Sequence, residues 1–166
     1  MAEGEFALVR QHLEAALQET AEWVGDHDIY VLLADAAARQ GDLPGLQRYA
    51  PLAEEAAIRY DHRLYQAIAH RSYGLAHRLA GEYDQAQDRL QQALDIFTQH
   101  EARWQIGRTY FELGRLAQDQ TDSAMAIEHF NSALVEFEKQ GAVPNITHTR
   151  GALAELGSVS ENDAQS

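Results

Sequence analysis

Four arginines stand where helical spacing would gather them: Arg71 and Arg78, then Arg108 and Arg115. A guanidinium is a planar fork of donors matched to a carboxylate, so a row of them suits an acidic peptide. At about 100° per residue, Arg108, Phe111, Arg115 and Gln118 form one stripe. Forty residues earlier the same positions hold Ile68, Arg71, Leu75 and Arg78, and forty earlier again Asp28, Val31, Asp35 and Ala38. The stripe lies roughly 120° from the apolar seam of Tyr110, Leu113 and Ala117, so it is expected to stay out of the core. Its charge runs from acidic to basic, with Ile68, Leu75 and Phe111 available to hold apolar side chains.

Other chemistry finds no template. His70 and His77 share a helix face, but two turns put them about 10 Å apart along the axis, too far for one metal ion. They are expected to be packed or partly buried. The chain has no cysteine, which rules out a thiolate nucleophile, a disulfide framework and a thiolate zinc site. Neither a glycine-rich phosphate loop, a G-x-S-x-G elbow nor an H-E-x-x-H motif occurs. The acids scatter over what would be outer helix faces, where solvation is their ordinary role. No catalysis, metal or cofactor is expected.

The formal net charge of −13, from 26 acids against 13 bases, repels phosphate backbones and anionic membranes at long range. Nucleic acid and membrane are therefore not expected partners. No apolar run approaches the roughly 20 residues of a membrane span, and Met1 to Phe6 carries two acids where a signal peptide would be basic. A cytoplasmic setting follows. Asn145-Ile146-Thr147 matches a glycosylation acceptor, a pattern with meaning only in a secreted protein.

These residues must be positioned by a repeat. Leu33-Ala34, Tyr73-Gly74 and Leu113-Gly114 recur every 40 positions. The same step links Gly41, Gly81 and Thr121, each followed by an acid, and it links Leu46, Ala86 and Ala126, then Ala50, Leu90 and Phe130, then Ala53, Ala93 and Ala133. Within each unit the apolar residues fall at helical spacing on both sides of the Gly/Thr-plus-acid break. Glycine there can end the first helix in a left-handed conformation and the acid can cap the second. Each unit is thus expected to be an antiparallel helical hairpin.

Tyr110-x2-Leu113-Gly114-x2-Ala117 followed by Ala126-x3-Phe130 resembles the tetratricopeptide (TPR) pattern W-x2-L-G-x2-Y, A-x3-F. His70-x2-Tyr73-Gly74-x2-His77 with Ala86-x3-Leu90 is a second copy, and Tyr30-x2-Leu33-Ala34-x2-Ala37 with Leu46-x3-Ala50 a third. The period exceeds the usual 34 by six residues, because Phe97 and Phe137 prolong the second helix. Such stretched units are similar to the arrays of bacterial signalling ATPases and transcription regulators. HEAT-like helix pairs are the competing fold. The resemblance implies an all-α, right-handed α-solenoid of about eight helices, whose first helices line a concave groove.

That groove would then carry Asp28, Asp35, Arg71, Leu75, Arg78, Arg108, Phe111, Arg115 and Gln118, and would bind a protein or peptide bearing acids. The lysines and asparagines with which some TPR families hold a terminal carboxylate are absent from the stripe. Residues 1–156 read as one domain: repeats over 27–66, 67–106 and 107–144, a lone second helix over 5–24 and a lone first helix over 145–156. Residues 157–166 read as a disordered tail. The lone helices either cap the array or join copies head to tail into a homo-oligomer. A fragment of a larger signalling regulator is a further reading. Pro51, inside a second helix, predicts a kink or a late helix start.

Overall fold

The computed structural model describes residues 3–19 and 26–163. Among them are eight helices and no strand: α1 (Glu3–Glu19), α2 (Asp26–Gln40), α3 (Leu43–Arg59), α4 (Arg63–Leu79), α5 (Tyr83–Gln99), α6 (Arg103–Asp119), α7 (Ser123–Lys139) and α8 (Val143–Asp163). Two compact units, Met1–Ala93 and Leu94–Ser166, divide the chain. The hairpins are α2/α3, α4/α5 and α6/α7. Second helices start at residues 3, 43, 83 and 123, and first helices at 63, 103 and 143. By register α1 aligns with the second helices and α8 with the first helices.

One turn chemistry ends the helices α2 to α7. A left-handed residue stands every twenty positions: Gly41, Asp61, Gly81, Glu101, Thr121 and Gly141, with φ between 50° and 78°. At each, its N–H and the next N–H fold back onto two carbonyls of the last helical turn, as in Gly81 N–H to Arg78 O at 3.0 Å and Glu82 N–H to His77 O at 2.9 Å. This is the Schellman arrangement, which satisfies carbonyls that the helix end leaves open. Asp42 and Asp122 then accept from the N–H groups of Gly45 and Met125, capping α3 and α7. The carboxylate of Glu82, the third acid in this column, lies 2.6 Å from His77 Nδ1.

The breaks between hairpins were not visible in the sequence. Asp61 and Glu101 are acids in left-handed conformation, which composition does not mark as helix stops. As a result α4 and α6 begin at 63 and 103, four residues ahead of the repeat boundaries expected at 67 and 107. Of the two outcomes expected at Pro51, the late helix start does not occur. α3 starts at Leu43, in register with its counterparts, and runs through Pro51. Pro51 and Gln47, whose carbonyl loses its partner, are both on the exposed side, where water can replace the missing bond. At the end of the chain α8 continues to Asp163, past the tail expected from 157. Gly157 is not left-handed, and no proline follows it. Residues 20–24 and 164–166 lie outside the described residues.

The Leu-Gly step is a packing device. A β-carbon on Gly74 would come within 2.6 Å of Leu90 Cγ, and one on Gly114 within 2.6 Å of the Phe130 ring. Gly107 meets Phe137 in the same way at 2.8 Å. The absent side chain lets the two helices of a hairpin approach closely over a large partner. In the first unit Leu33, Leu46, Ala50, Ala53 and Leu90 are buried, and in the second Phe97, Phe130, Phe137, Leu113 and Leu116. Each of these leucines and phenylalanines contributes about 1.5–3 kcal/mol through burial. No helix among the described residues is long and apolar enough to cross a membrane.

Candidate partner-binding faces

In the first unit the stripe expected to face solvent is turned against a neighbour. α4 packs on α2, and Arg71, Leu75 and Ile68 keep only 4%, 4% and 9% of their surface exposed. Arg71 Nη2 donates to Asp35 Oδ1 at 3.4 Å, and Asp35 also accepts from Arg39 Nε at 3.0 Å. Near the start of both helices Tyr65 donates its hydroxyl to Asp28. That bond, and then burial, push the phenol up to about 12. Arg78 is half-buried near the end of α4. The expectation that this stripe is free of the core is therefore corrected. Positions 120° from the hairpin seam are where consecutive first helices meet, and a buried arginine there requires a carboxylate from its neighbour.

In the second unit the same row is more open. Arg108, Phe111, Arg115 and Gln118 are all half-buried along α6. The Arg108 guanidinium sits 4.8 Å from the Trp104 ring centre, and that of Arg115 sits 5.4 Å from the Phe111 ring. Phe111 packs on Phe130 at 5.3 Å and touches His148 of α8 at 4.7 Å. Arg115 Nη1 donates to Gln118 Oε1 at 3.1 Å and lies 3.7 Å from Glu155 of α8. With side-chain exposures of 30% and 67%, the Arg115–Glu155 pair is worth at most about 1 kcal/mol, and another carboxylate can displace it.

Further polar contacts lie off the stripe and were not found by sequence reasoning. Glu54 of α3, His70 and Tyr73 of α4 and Arg89 of α5 come together at one junction. Glu14 of α1 accepts from Arg48 and from the Tyr49 hydroxyl. These partners are 34 and 35 residues apart, so only the meeting of neighbouring helices reveals them. The one available signal was the 40-residue step from Glu14 to Glu54 and from Tyr49 to Arg89. As expected, His70 and His77 are part-buried. Among the described residues no group of three or more His, Asp or Glu side chains is placed to hold a metal ion.

A family model described as tetratricopeptide repeat matches residues 26–99, the first two hairpins. Residues 26–99 carry tetratricopeptide repeats. The third hairpin continues the TPR register with the same turns and the same glycine step. The crystal structure of BtubC (BKLC) from P. vanneervenii superposes with a TM-score of 0.62 at 16% identity. The match covers 96% of this chain and 76% of that one, which shows a shared helical-repeat fold. No curated protein matches the sequence significantly. TPR units are typically non-catalytic modules for protein–protein interaction.

Proposed function

We propose that this TPR chain binds an acidic segment of a partner protein on the α6 face of its second unit, through Arg108, Phe111, Arg115 and Gln118 with Trp104 beside them. The carrying observation is the Arg115–Glu155 contact, in which a carboxylate from another helix already stands 3.7 Å from one guanidinium nitrogen. Arginines held over aromatic rings lose little freedom on binding, and the rings offer apolar contact next to the charge. In this reading Asp35, Arg71 and Leu75 organise the first unit from within, the exposed Asp28 is held by Tyr65, and Arg78 is the remaining contact residue. A head-to-tail pairing of α8 with α1 of another copy has less support. Arg10 occupies the α1 position held elsewhere by Ala50, Leu90 and Phe130, and it is engaged with Asp42 at 3.2 Å.

The test uses Trp104 as reporter in a Trp23→Phe background, titrated with a synthetic glutamate-rich helical peptide. Saturable binding is expected, weakening with added salt. Arg108→Glu with Arg115→Glu should lower affinity at least about tenfold, the equivalent of 1.4 kcal/mol. Glu155→Gln should raise it up to about fivefold by removing the competing carboxylate. Unchanged affinity in the double arginine variant would reject this face as the binding site.

A further inference from the structure

The junction between the first two hairpins holds a polar cluster that partner binding does not use. Arg89 Nη1 lies 2.8 Å from Glu54 Oε1 and 2.7 Å from His70 Nδ1. Glu54 Oε1 is itself 3.5 Å from His70 Nδ1, and the guanidinium rests 4.3 Å from the Tyr73 ring centre. Side-chain exposures of 16% for His70, 23% for Glu54 and 29% for Arg89 place the group at the edge of the interior.

A guanidinium has only donors, so the Nδ1 that it touches carries no proton and the ring is neutral, with its hydrogen on Nε2. Protonation at Nδ1 would remove the acceptor that Arg89 uses and set a second cation against it. The new N–H would face Glu54 instead. The charged or titratable groups around His70 are Glu54 from α3, Arg89 from α5, and Arg63 and Tyr73 from α4 itself. On α2, Asp28 and Asp35 are engaged with Tyr65 and Arg71.

We propose that His70 is a proton-driven switch: on protonation Glu54 changes partner from Arg89 to His70, Arg89 is released, and the α3–α4–α5 junction loosens in mild acid. The device is local to this junction. The matching positions elsewhere are Tyr30 and Tyr110 for His70, and Glu14, Leu94 and Leu134 for Glu54, so no other junction has a histidine in the place of His70. Burial, followed by Arg89, holds the imidazole below the ordinary histidine range, while Glu54 opposes them. The unfolded chain therefore binds the proton more readily. Stability from the neutral ring is complete above about 6.5 and is lost as pH falls through that value toward the folded midpoint.

The experiment is an NMR titration of the histidines in the full chain, with the His70 signal assigned by its loss in His70→Gln. The His70 midpoint should lie below about 6.5, rise in Arg89→Leu and fall in Glu54→Gln. Opposite movements separate partner exchange from simple burial. Glutamine can accept from Arg89 but does not titrate, so His70→Gln should retain its thermal midpoint between about pH 7.5 and 5.5 better than wild type. An unmoved His70 midpoint in Arg89→Leu, or the full wild-type pH dependence in His70→Gln, overturns the proposal.

Discussion

Replacing Gly114 by alanine probes the closest approach in the second unit. The added β-carbon would lie 2.6 Å from both Cδ1 and Cε1 of Phe130 and 3.0 Å from Cζ, well inside van der Waals contact. Phe130 is fully buried and packs on Phe111, so its ring cannot escape into solvent. Because relaxation is blocked, separating α6 from α7 or forcing a strained rotamer costs about 2–3 kcal/mol, the upper part of the usual range for overpacking. Alanine returns about 1 kcal/mol of helix propensity, leaving a net loss of about 1–2 kcal/mol. Gly151→Ala is the control, because nothing lies within 4 Å of a β-carbon there. It should gain up to about 1 kcal/mol from propensity alone.

The two variants should therefore differ by about 2–3 kcal/mol in urea unfolding followed by Trp104 fluorescence. At slopes of about 1–2 kcal/mol per molar, their midpoints separate by about 1–3 M. Phe130→Leu in the Gly114→Ala background should recover part of the loss by relieving the overlap. A Gly114→Ala protein as stable as wild type would refute the reasoning.

Thr121 is β-branched yet held at φ 60°, so Thr121→Gly should stabilise by about 0.5–1 kcal/mol, read as a higher thermal midpoint. Gly81→Ala, at φ 78°, should lose about 1 kcal/mol in the same assay. Arg71→Ala removes the partner of Asp35 at a buried helix contact, although Asp35 keeps Arg39. A loss of about 2–3 kcal/mol is expected by circular dichroism melting, at or below the lower end for broken buried pairs. A hydrogen bond from Lys139 depresses the Glu136 carboxyl most, and the nearby charges of Lys139 and Arg103 add to this. Its stabilisation is present above about 4.5 and is lost as pH falls through the lower folded value. The acid limb of the stability curve should therefore flatten in Glu136→Gln.

The repeat itself was legible in one chain because stacking imposes the same demand at the same position each time. Leu33, Leu46 and Phe130 must be apolar, Gly74 and Gly114 must be small, and Gly41 and Gly81 must adopt a left-handed turn. These are local or periodic constraints, and they leave marks in composition at a fixed spacing. The first-helix stripe was legible as a row, but its surroundings were not. Residue types placed Arg71 and Arg115 in equivalent rows, yet Arg71 is closed off by Asp35 of α2 while Arg115 stays half-open beside Glu155 of α8. Nor did the residues announce that Asp61 and Glu101 would end helices. An acid can take a left-handed conformation as a single residue at modest cost, so its type alone does not mark a helix stop.

Sequence alone therefore determined that the chain forms paired helices in strict register, since hydrophobic period, small-residue columns and turn chemistry act within one hairpin. Tertiary structure decided which polar side chains are spent inside each unit and which remain outward. That depends on carboxylates and guanidiniums about 35 residues apart meeting across neighbouring helices, and no local preference encodes such a meeting.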